Sequence, residues 1–252
     1  MTNIILHGAY GKMGRVITEM AAEDEQINIV AGVDVAAGPP VPFPVFARIS
    51  DLDIAADVIV DFSLAVAVDD LLDFCGEKKI PCVLCTTGLS KEQQDKLLKT
   101  TTQVAILKSA NMSLGINLLL KMLKEAAVNL VGAGFDIEIV EKHHNLKIDA
   151  PSGTALALGA AVNEALGGDY TYIFDRSKSS GRRQKTEIGF SAVRGGSIVG
   201  EHEVIFAGAD EVVTFSHTAY SKAVFAKGAL QAAKFLKDKP PGLYTMADIM
   251  ER

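Results

Sequence analysis

The first 110 residues alternate short apolar segments with segments of helical periodicity, and this alternation restricts the possible folds more than any other feature. An apolar run at 3–7 leads into a glycine-rich turn at 8–14, and helical spacing follows over 15–22. A second apolar run at 27–34 ends on an acid. Strands that alternate with helices predict a parallel sheet covered on both faces. We therefore expect an α/β, Rossmann-like doubly wound domain.

The alternation continues along the rest of this segment. Three more apolar runs predict strands at 57–62, 81–85 and 104–107. A helix is expected over 65–75 with Ser63 as its cap, and another over 91–98 that starts with a capping box of Ser90 and Gln93. In such a sheet, ligands lie at the carboxyl ends of the strands.

The glycine turn has the spacing G-x-x-G-x-x-G, from Gly8 through Gly11 to Gly14, and Asp34 follows 20 residues after Gly14. Glycines allow close approach of the backbone to a pyrophosphate, and the start of the following helix favours its charge. Asp34 is placed to accept hydrogen bonds from a ribose. The pattern favours a dinucleotide site over its alternative, a plain tight turn followed by a solvated acid.

The second half of the chain has a different pattern. A helix is expected over 118–127, an alternating strand from 135 to His143, and a helix over 154–166. Strand-like segments then follow at 187–193, 198–206 and 211–215, before an amphipathic helix at 222–237. Successive strands with short turns predict a second, α+β domain with a mixed or antiparallel sheet, of which we expect the mixed one. The polar segment 177–185, with Arg182 and Arg183, is expected to be a mobile, solvated loop.

The segment 141–155 combines two adjacent histidines, a lysine and a Pro-Ser-Gly-Thr turn that opens a helix. Imidazole, ammonium and helix amides together suit a small acid with two carboxylates. A metal site is the alternative for His143 and His144. Adjacent residues on a strand point to opposite faces, so they chelate a metal poorly, and we expect no metal.

Composition limits the class of protein. The net charge is −6, so the chain lacks the basic footprint of a nucleic-acid binder. No apolar run approaches the ~18 residues of a membrane span, and the first residues do not resemble a signal peptide. Three cysteines indicate a reducing, cytoplasmic setting. Cys82 and Cys85 form a C-x-x-C pair inside an apolar run, which favours buried thiols over a redox or zinc site.

Several of these segments resemble the 4-hydroxy-tetrahydrodipicolinate reductase (dihydrodipicolinate reductase) family. The resemblance covers the glycine turn at 8–14, Thr86-Thr87-Gly88, Ala110-Asn111 and, most specifically, the segment from Glu141 to Thr154. It implies a dinucleotide-binding domain at 1–111 plus about 218–252, and a substrate-binding and tetramerisation domain at 112–217. It also implies a homotetramer and closure of the domains over the ligands.

The implied reaction is the NAD(P)H-dependent reduction of the cyclic hydroxy-dicarboxylate to tetrahydrodipicolinate, with loss of water, on the diaminopimelate route to lysine. By resemblance, His143 and Lys147 are catalytic. The substrate-binding set is His144, Lys147, Ser152, Gly153 and Thr154. The cofactor-binding set, which also draws on the strand ends, is Gly8, Ala9, Tyr10, Gly11, Lys12, Met13, Asp34, Cys85, Thr86, Thr87, Ser109, Ala110, Asn111 and Met112.

This sequence differs from the family pattern at three positions. Cys85 replaces a common glycine, and Met112 a common aromatic residue. Val35 follows Asp34 where some members carry an arginine for a 2′-phosphate. An acid without an adjacent base favours NADH, whereas Lys12 in the turn favours NADPH, so we expect use of both cofactors.

Three other interpretations remain open from the sequence. One is a Rossmann dehydrogenase that acts on a different small acid, such as an aspartate or homoserine type. Another is a nucleotide-sensing regulatory protein without turnover. The third is a zinc enzyme built on His143 and His144.

Overall fold

The computed structural model of the protein describes residues 1–109, 111–178 and 181–250. Its strands are β1 (Thr2–His7), β2 (Ile27–Val33), β3 (Val45–Phe46), β4 (Val58–Asp61), β5 (Cys82–Leu84), β6 (Ala105–Lys108), β7 (Asp136–His143), β8 (Thr171–Ile173), β9 (Glu187–Arg194), β10 (Gly200–Ala207), β11 (Val212–Ala219) and β12 (Gly242–Tyr244). Its α-helices are α1 (Lys12–Ala22), α2 (Val68–Lys78), α3 (Lys91–Thr100), α4 (Leu114–Gly132), α5 (Gly153–Ala165), α6 (Ala223–Leu236) and α7 (Met246–Met250). None of these helices is long and apolar enough to cross a membrane.

The chain divides into two compact units. The first unit contains Met1–Ser113 and the chain from Ala223 onward, and the second contains Leu114–Lys222. The division lies within a few residues of the predicted domain boundaries. Substrate binding and tetramer formation by the second unit remain predictions.

The first unit is built on a parallel sheet. Within the described residues it has seven strands in the order β12-β6-β5-β4-β1-β2-β3, and every pair of neighbours is parallel. The central strands β4 and β5 are buried along their whole length, as is typical of strands covered by helices on both faces. Helices α1 and α6 contact each other, as do α2 and α3. The predicted Rossmann-like doubly wound sheet is confirmed.

The second unit carries a mixed sheet. Its strand order over the described residues is β11-β10-β7-β9-β8. Strand β10 runs antiparallel to β7 and β11, whereas β9 runs parallel to β7 and β8. Alternate residues of β7 are buried, and Ile137 and Ile139 join Leu158 and Val162 of α5 in one apolar core. The predicted α+β unit with a mixed sheet is confirmed.

The predicted cap at the start of α3 is confirmed, whereas the predicted cap at the start of α2 is wrong. Ser90 and Gln93 form the predicted capping box at the start of α3. Ser63, however, does not cap α2. A turn of 3-10 helix at Ala65–Ala67 precedes α2, whose own cap residue is Ala67. The Ser63 amide instead donates a hydrogen bond to Asp61 Oδ1 at 3.1 Å, which fixes the turn after β4.

The basic segment after residue 176 also differs from its prediction. Arg183 is not solvated, because its guanidinium lies 2.7 Å from Asp136 Oδ1 and 3.3 Å from Glu138 Oε1, and only 18% of its side chain is exposed. Ser179 and Ser180, in the same predicted loop, lie outside the described residues. The short elements β3, β8, β12 and α7 were not predicted.

Candidate functional site

The first unit contains a cavity of about 520 Å³ beside the glycine turn. Four residues of the predicted cofactor-binding set line it: Gly8, Tyr10, Gly11 and Asp34. Ala9, Lys12 and Met13, from the same turn, are not among its lining residues. The cavity thus brings the glycine turn and the acid after β2 together at one place, as the dinucleotide interpretation requires.

The backbone of the turn explains why glycine is needed. Gly8 has φ +84°, and a Cβ there would lie 2.6 Å from the carbonyl oxygen of Phe62. A Cβ at Gly14 would collide with the carbonyl oxygen of Gly8. Gly11, the cap residue of α1, provides no side-chain cap, so the first amides of α1 are free of side-chain competition. A helix start of this kind suits a phosphate.

Asp34 holds the turn and faces the cavity. Its Oδ2 accepts a hydrogen bond from the Tyr10 amide at 2.8 Å, and its Oδ1 accepts one from the Ala36 amide at 2.9 Å. Arg15 and Arg48 line the same cavity. Val35 and Lys12 are the residues expected from the sequence to set the cofactor preference, and neither arginine was predicted. Arg48 follows β3, a strand too short to be predicted.

A buried carboxylate lies at the ends of the central strands. Asp61 is fully buried, with Nδ1 of His7 at 2.9 Å from its Oδ1 and the Thr86 hydroxyl donating to its Oδ2 at 2.6 Å. Burial acts to raise the pKa of the Asp61 carboxyl, but His7, Ser63 and Thr86 outweigh it and leave the pKa below its ordinary value. The Thr86 hydroxyl, predicted to contact the cofactor, is thus engaged within the protein.

The remaining predicted cofactor residues lie near other strand ends. Thr87 lines a separate hollow that also includes Lys108. The Ser109 hydroxyl donates to the backbone oxygen of Asn111 at 2.9 Å. The side chain of Met112 is buried, with 4% exposure. Ala110 lies outside the described residues.

The three cysteines are free thiols. Burial, with the charge of Asp61, raises the pKa of the Cys85 thiol well above its ordinary value. A hydrogen bond with Cys75, together with burial, does the same for Cys82. Raised pKa values disfavour thiolates, which a redox or zinc site needs. Among the residues that the structure describes, no group of three or more His, Cys, Asp or Glu side chains could hold a metal ion.

In the second unit, a buried carboxylate holds the predicted proton donor. Glu141, 1% exposed, lies two residues before His143 on the buried side of β7. His143 Nδ1 is 2.6 Å from Glu141 Oε2. The Arg194 guanidinium donates to both carboxylate oxygens, at 2.7 and 2.6 Å, and the Ser152 amide donates to Oε1 at 2.9 Å. Burial would raise the pKa of Glu141, but these hydrogen bonds hold it below its ordinary value.

A second histidine packs against His143. The rings of His143 and His202 meet edge to face, with 5.1 Å between their centroids. His202 Nε2 is 2.9 Å from the Ser152 hydroxyl oxygen, which also accepts the Ala155 amide and so caps α5. Burial, and then the charge of His143, lowers the pKa of His202 to about 4. His202 is therefore a neutral ring at neutral pH.

The other predicted substrate residues lie around the turn into α5. Lys147 Nζ is 2.8 Å from Asp149 Oδ1. The hydrogen bond from Lys147, aided by the amide of Gly153, lowers the pKa of the Asp149 carboxyl. Nδ1 of His144 is buried and has no hydrogen-bond partner in the described part of the chain. Gly153 and Thr154 are the first two residues of α5. The six predicted residues of this unit lie on one segment of the chain, which runs from the end of β7 through a turn to the start of α5.

Sequence reasoning missed Glu141, Arg194 and His202 as site residues. Glu141 had a local signal, because strand alternation places it on the same face as His143. Arg194 and His202 had none. The β7–β9 pairing sets Arg194 opposite His143, and the β7–β10 pairing sets His202 opposite Glu141.

Two family models match consecutive parts of this chain. Residues 2–112 match the model described as dihydrodipicolinate reductase, N-terminus. Residues 115–250 match the model described as dihydrodipicolinate reductase, C-terminus. Together these matches span almost the whole chain.

Individual proteins show the same similarity over their full lengths. The chain is 49% identical to a protein of Caldanaerobacter subterraneus subsp. tengcongensis named 4-hydroxy-tetrahydrodipicolinate reductase, over 100% of this chain and 99% of the relative. A protein of Clostridium novyi with the same name is 47% identical over 100% of this chain and 99% of the relative. A solved dipicolinate-bound dihydrodipicolinate reductase from Paenisporosarcina sp. TG-14 has a similar fold, with a TM-score of 0.82 at 22% identity and 97% coverage of both chains.

Proposed function

Because the chain belongs to the dihydrodipicolinate reductase family, we propose that it reduces 4-hydroxy-tetrahydrodipicolinate to tetrahydrodipicolinate with loss of water, using NAD(P)H. This step belongs to the diaminopimelate pathway of lysine biosynthesis. The observation that carries the proposal is the pairing of His143 with buried Glu141 beside the amino end of α5. That arrangement offers a proton donor and a carboxylate-binding helix start at one place.

The cavity of the first unit fits a nicotinamide nucleotide. The glycine turn and the start of α1 suit the pyrophosphate, and Asp34 faces the same space for the ribose. When bound, the nucleotide would supply the hydride. His143 would then donate a proton to the carbon that becomes nucleophilic after hydride arrival. Lys147, His144, and the amides of Gly153 and Thr154 would bind the substrate carboxylates.

We propose that the protein uses both NADH and NADPH. Asp34 favours NADH through hydrogen bonds to the ribose hydroxyls. Arg15 and Arg48 line the same cavity and bring positive charge for a 2′-phosphate. Arg48→Gln should therefore raise the KM for NADPH and leave the KM for NADH nearly unchanged. An equal change for both cofactors would remove this role of Arg48.

The test of the proposed reaction is a coupled assay. The hydroxy-dicarboxylate is generated from pyruvate and aspartate semialdehyde by the preceding synthase, and cofactor oxidation is followed by absorbance with NADH and NADPH separately. Turnover supports the reductase. His143→Gln should lose most of the rate, whereas Asp136→Asn, at the other end of β7, should keep it. Cofactor binding without turnover would favour a sensor or a different small acid.

Assembly and location are parts of the same proposal. The family resemblance implies a homotetramer formed through the sheet of the second unit, and a cytoplasmic enzyme. Light scattering on the purified chain measures the assembly. A monomer at micromolar concentration would contradict the tetramer.

A further inference from the structure

We propose that Glu141 and Arg194 are a positioning pair for His143: Glu141 fixes which ring nitrogen faces the substrate and favours the imidazolium, and Arg194 keeps Glu141 a carboxylate. The inference rests on the proposed function and deepens it. Neither residue needs to touch the substrate, so neither is proposed as catalytic.

The hydrogen bonds around Glu141 determine the tautomer of His143. Oε1 accepts from Arg194 Nη2 and the Ser152 amide, and Oε2 accepts from Arg194 Nη1. Those three groups are obligate donors, so they favour an ionised carboxylate that only accepts. The fourth contact, 2.6 Å to His143 Nδ1, then requires that Nδ1 carries a proton. Nε2 is left as the nitrogen that gains and releases the reacting proton.

Nε2 of His143 lies beside a glycine, Gly200. A Cβ at Gly200 would lie 3.2 Å from His143 Nε2, closer than ordinary van der Waals contact. The other ring nitrogen is closed off by Glu141, whose side chain is 1% exposed. The ring is therefore held with Nδ1 on the carboxylate and Nε2 on the side of Gly200.

Arg194 has a distinct role in this pair. Glu141 beside a protonated His143 could take the proton itself and become neutral. Arg194, bidentate to both oxygens, stabilises the charged carboxylate and so opposes that transfer. Other charged or titratable groups face the pair within the described part of the chain. His144 follows His143 at the end of β7, and His202 on β10 lies opposite Glu141. His217 on β11 lies behind His202, and Lys147 with Asp149 lies on the following turn.

Removing the negative charge of Glu141 and removing the positive charge of Arg194 should shift the pH profile of kcat in opposite directions. Glu141→Gln removes the negative partner of the imidazolium, so the decline of kcat at high pH should move to lower pH. Its amide NH2 should also turn towards His143, because the Oε1 position meets two obligate donors, Arg194 Nη2 and the Ser152 amide, whereas the Oε2 position meets one, Arg194 Nη1. Arg194→Gln removes a positive charge near the imidazolium, so the same decline should move to higher pH. A merely structural role would lower activity without this opposition in sign.

The experiment measures kcat and KM against pH for the full chain and these two variants. We expect Glu141→Gln to lose about 10- to 100-fold in kcat, part of what a positioned acid contributes, with a much smaller change in KM. The matched control is Glu138→Gln, which removes a carboxylate from the same strand that pairs instead with Arg176 and Arg183. It should leave the pH profile in place. An unchanged kcat and pH profile in Glu141→Gln would overturn the proposal.

A second readout does not need turnover. The nitrogen chemical shifts of labelled histidine, assigned by loss of the signal in His143→Gln, report the tautomer of neutral His143. We expect the proton on Nδ1 in the wild-type chain and on Nε2 in Glu141→Gln. A wild-type ring protonated on Nε2 would overturn the positioning role even if Glu141→Gln failed to fold. An inactive wild-type chain with the expected tautomer would refute the proposed function but leave the positioning geometry intact.

Discussion

Asp149 forms an ion pair with Lys147, and replacing Asp149 with asparagine should tighten the binding of a dicarboxylate. The Asp149 carboxylate lies 2.8 Å from the Lys147 ammonium, and the Gly153 amide also helps to lower the pKa of this carboxyl. These are two of the groups proposed to bind a substrate carboxylate. A substrate must therefore displace Asp149 from both.

The exposure of the pair sets the size of the effect. The Lys147 side chain is 21% exposed and that of Asp149 is 59% exposed, so the pair is close to a surface salt bridge. Such a pair is worth about 0.2–1 kcal/mol. Removing the competitor should then lower the Kd by a factor of ~1.4 to 5. Loss of one negative charge near a dianionic ligand acts in the same direction, and that part should shrink at high salt.

The assay is calorimetric titration of the Asp149→Asn chain with pyridine-2,6-dicarboxylate, a planar analogue, at low and high salt. Asp136→Asn is the matched control, because it makes the same charge change at a carboxylate that pairs with Arg183. Weaker binding by Asp149→Asn would refute the competition argument. It would mean instead that Asp149 holds Lys147 in its binding position.

Two further predictions concern stability. The pKa of His202 is about 4 in the folded chain against an ordinary 6.5. As the pH drops from 6.5 towards 4, the unfolded chain takes up a proton on this histidine before the folded chain does, so the free energy of unfolding should fall by up to about 3 kcal/mol. His202→Gln should flatten this part of a plot of Tm against pH, and an unchanged slope would contradict the burial argument. Gly228→Ala should lower the free energy of unfolding in urea by about 1–3 kcal/mol, because a Cβ at this position would collide with the carbonyl oxygen of Met112. Gly132→Ala is the control and should have a far smaller effect, because a Cβ there meets no neighbouring group within 4 Å. Equal losses in the two variants would contradict this packing.

The parallel sheet could be predicted because its strands are buried on both faces. Strands β4 and β5 appear in the sequence as continuous apolar runs bounded by turns, and they need no knowledge of their partners. The strands β3, β8 and β12 are two or three residues long and, unlike the equally short β5, do not lie inside a longer apolar run bounded by turns. These short strands form because their backbones pair with neighbouring strands, and that pairing depends on the rest of the fold.

The same distinction separates the predicted site residues from the missed ones. His143 and Lys147 lie in one short segment whose residue types alone suggest the chemistry. Arg194 lies 53 residues from Glu141, and His202 lies 50 residues from Ser152. Only the order of strands in the mixed sheet, β10-β7-β9, brings them to Glu141 and His143. No spacing rule within the sequence gives that order.

The charged groups of the second unit differ in burial, and the difference fits the proposed role of each group. The proposed proton donor stands on a paired strand, where Glu141 is 1% exposed and accepts four close contacts. A buried charge needs that many partners, and the partners in turn fix its geometry. Lys147 lies on the turn after β7 and pairs with the half-exposed Asp149, so exchanging this weak counterion for a substrate carboxylate costs little. A rigid acid beside an exchangeable cation allows the substrate to bind reversibly while the orientation of the proton donor stays constant.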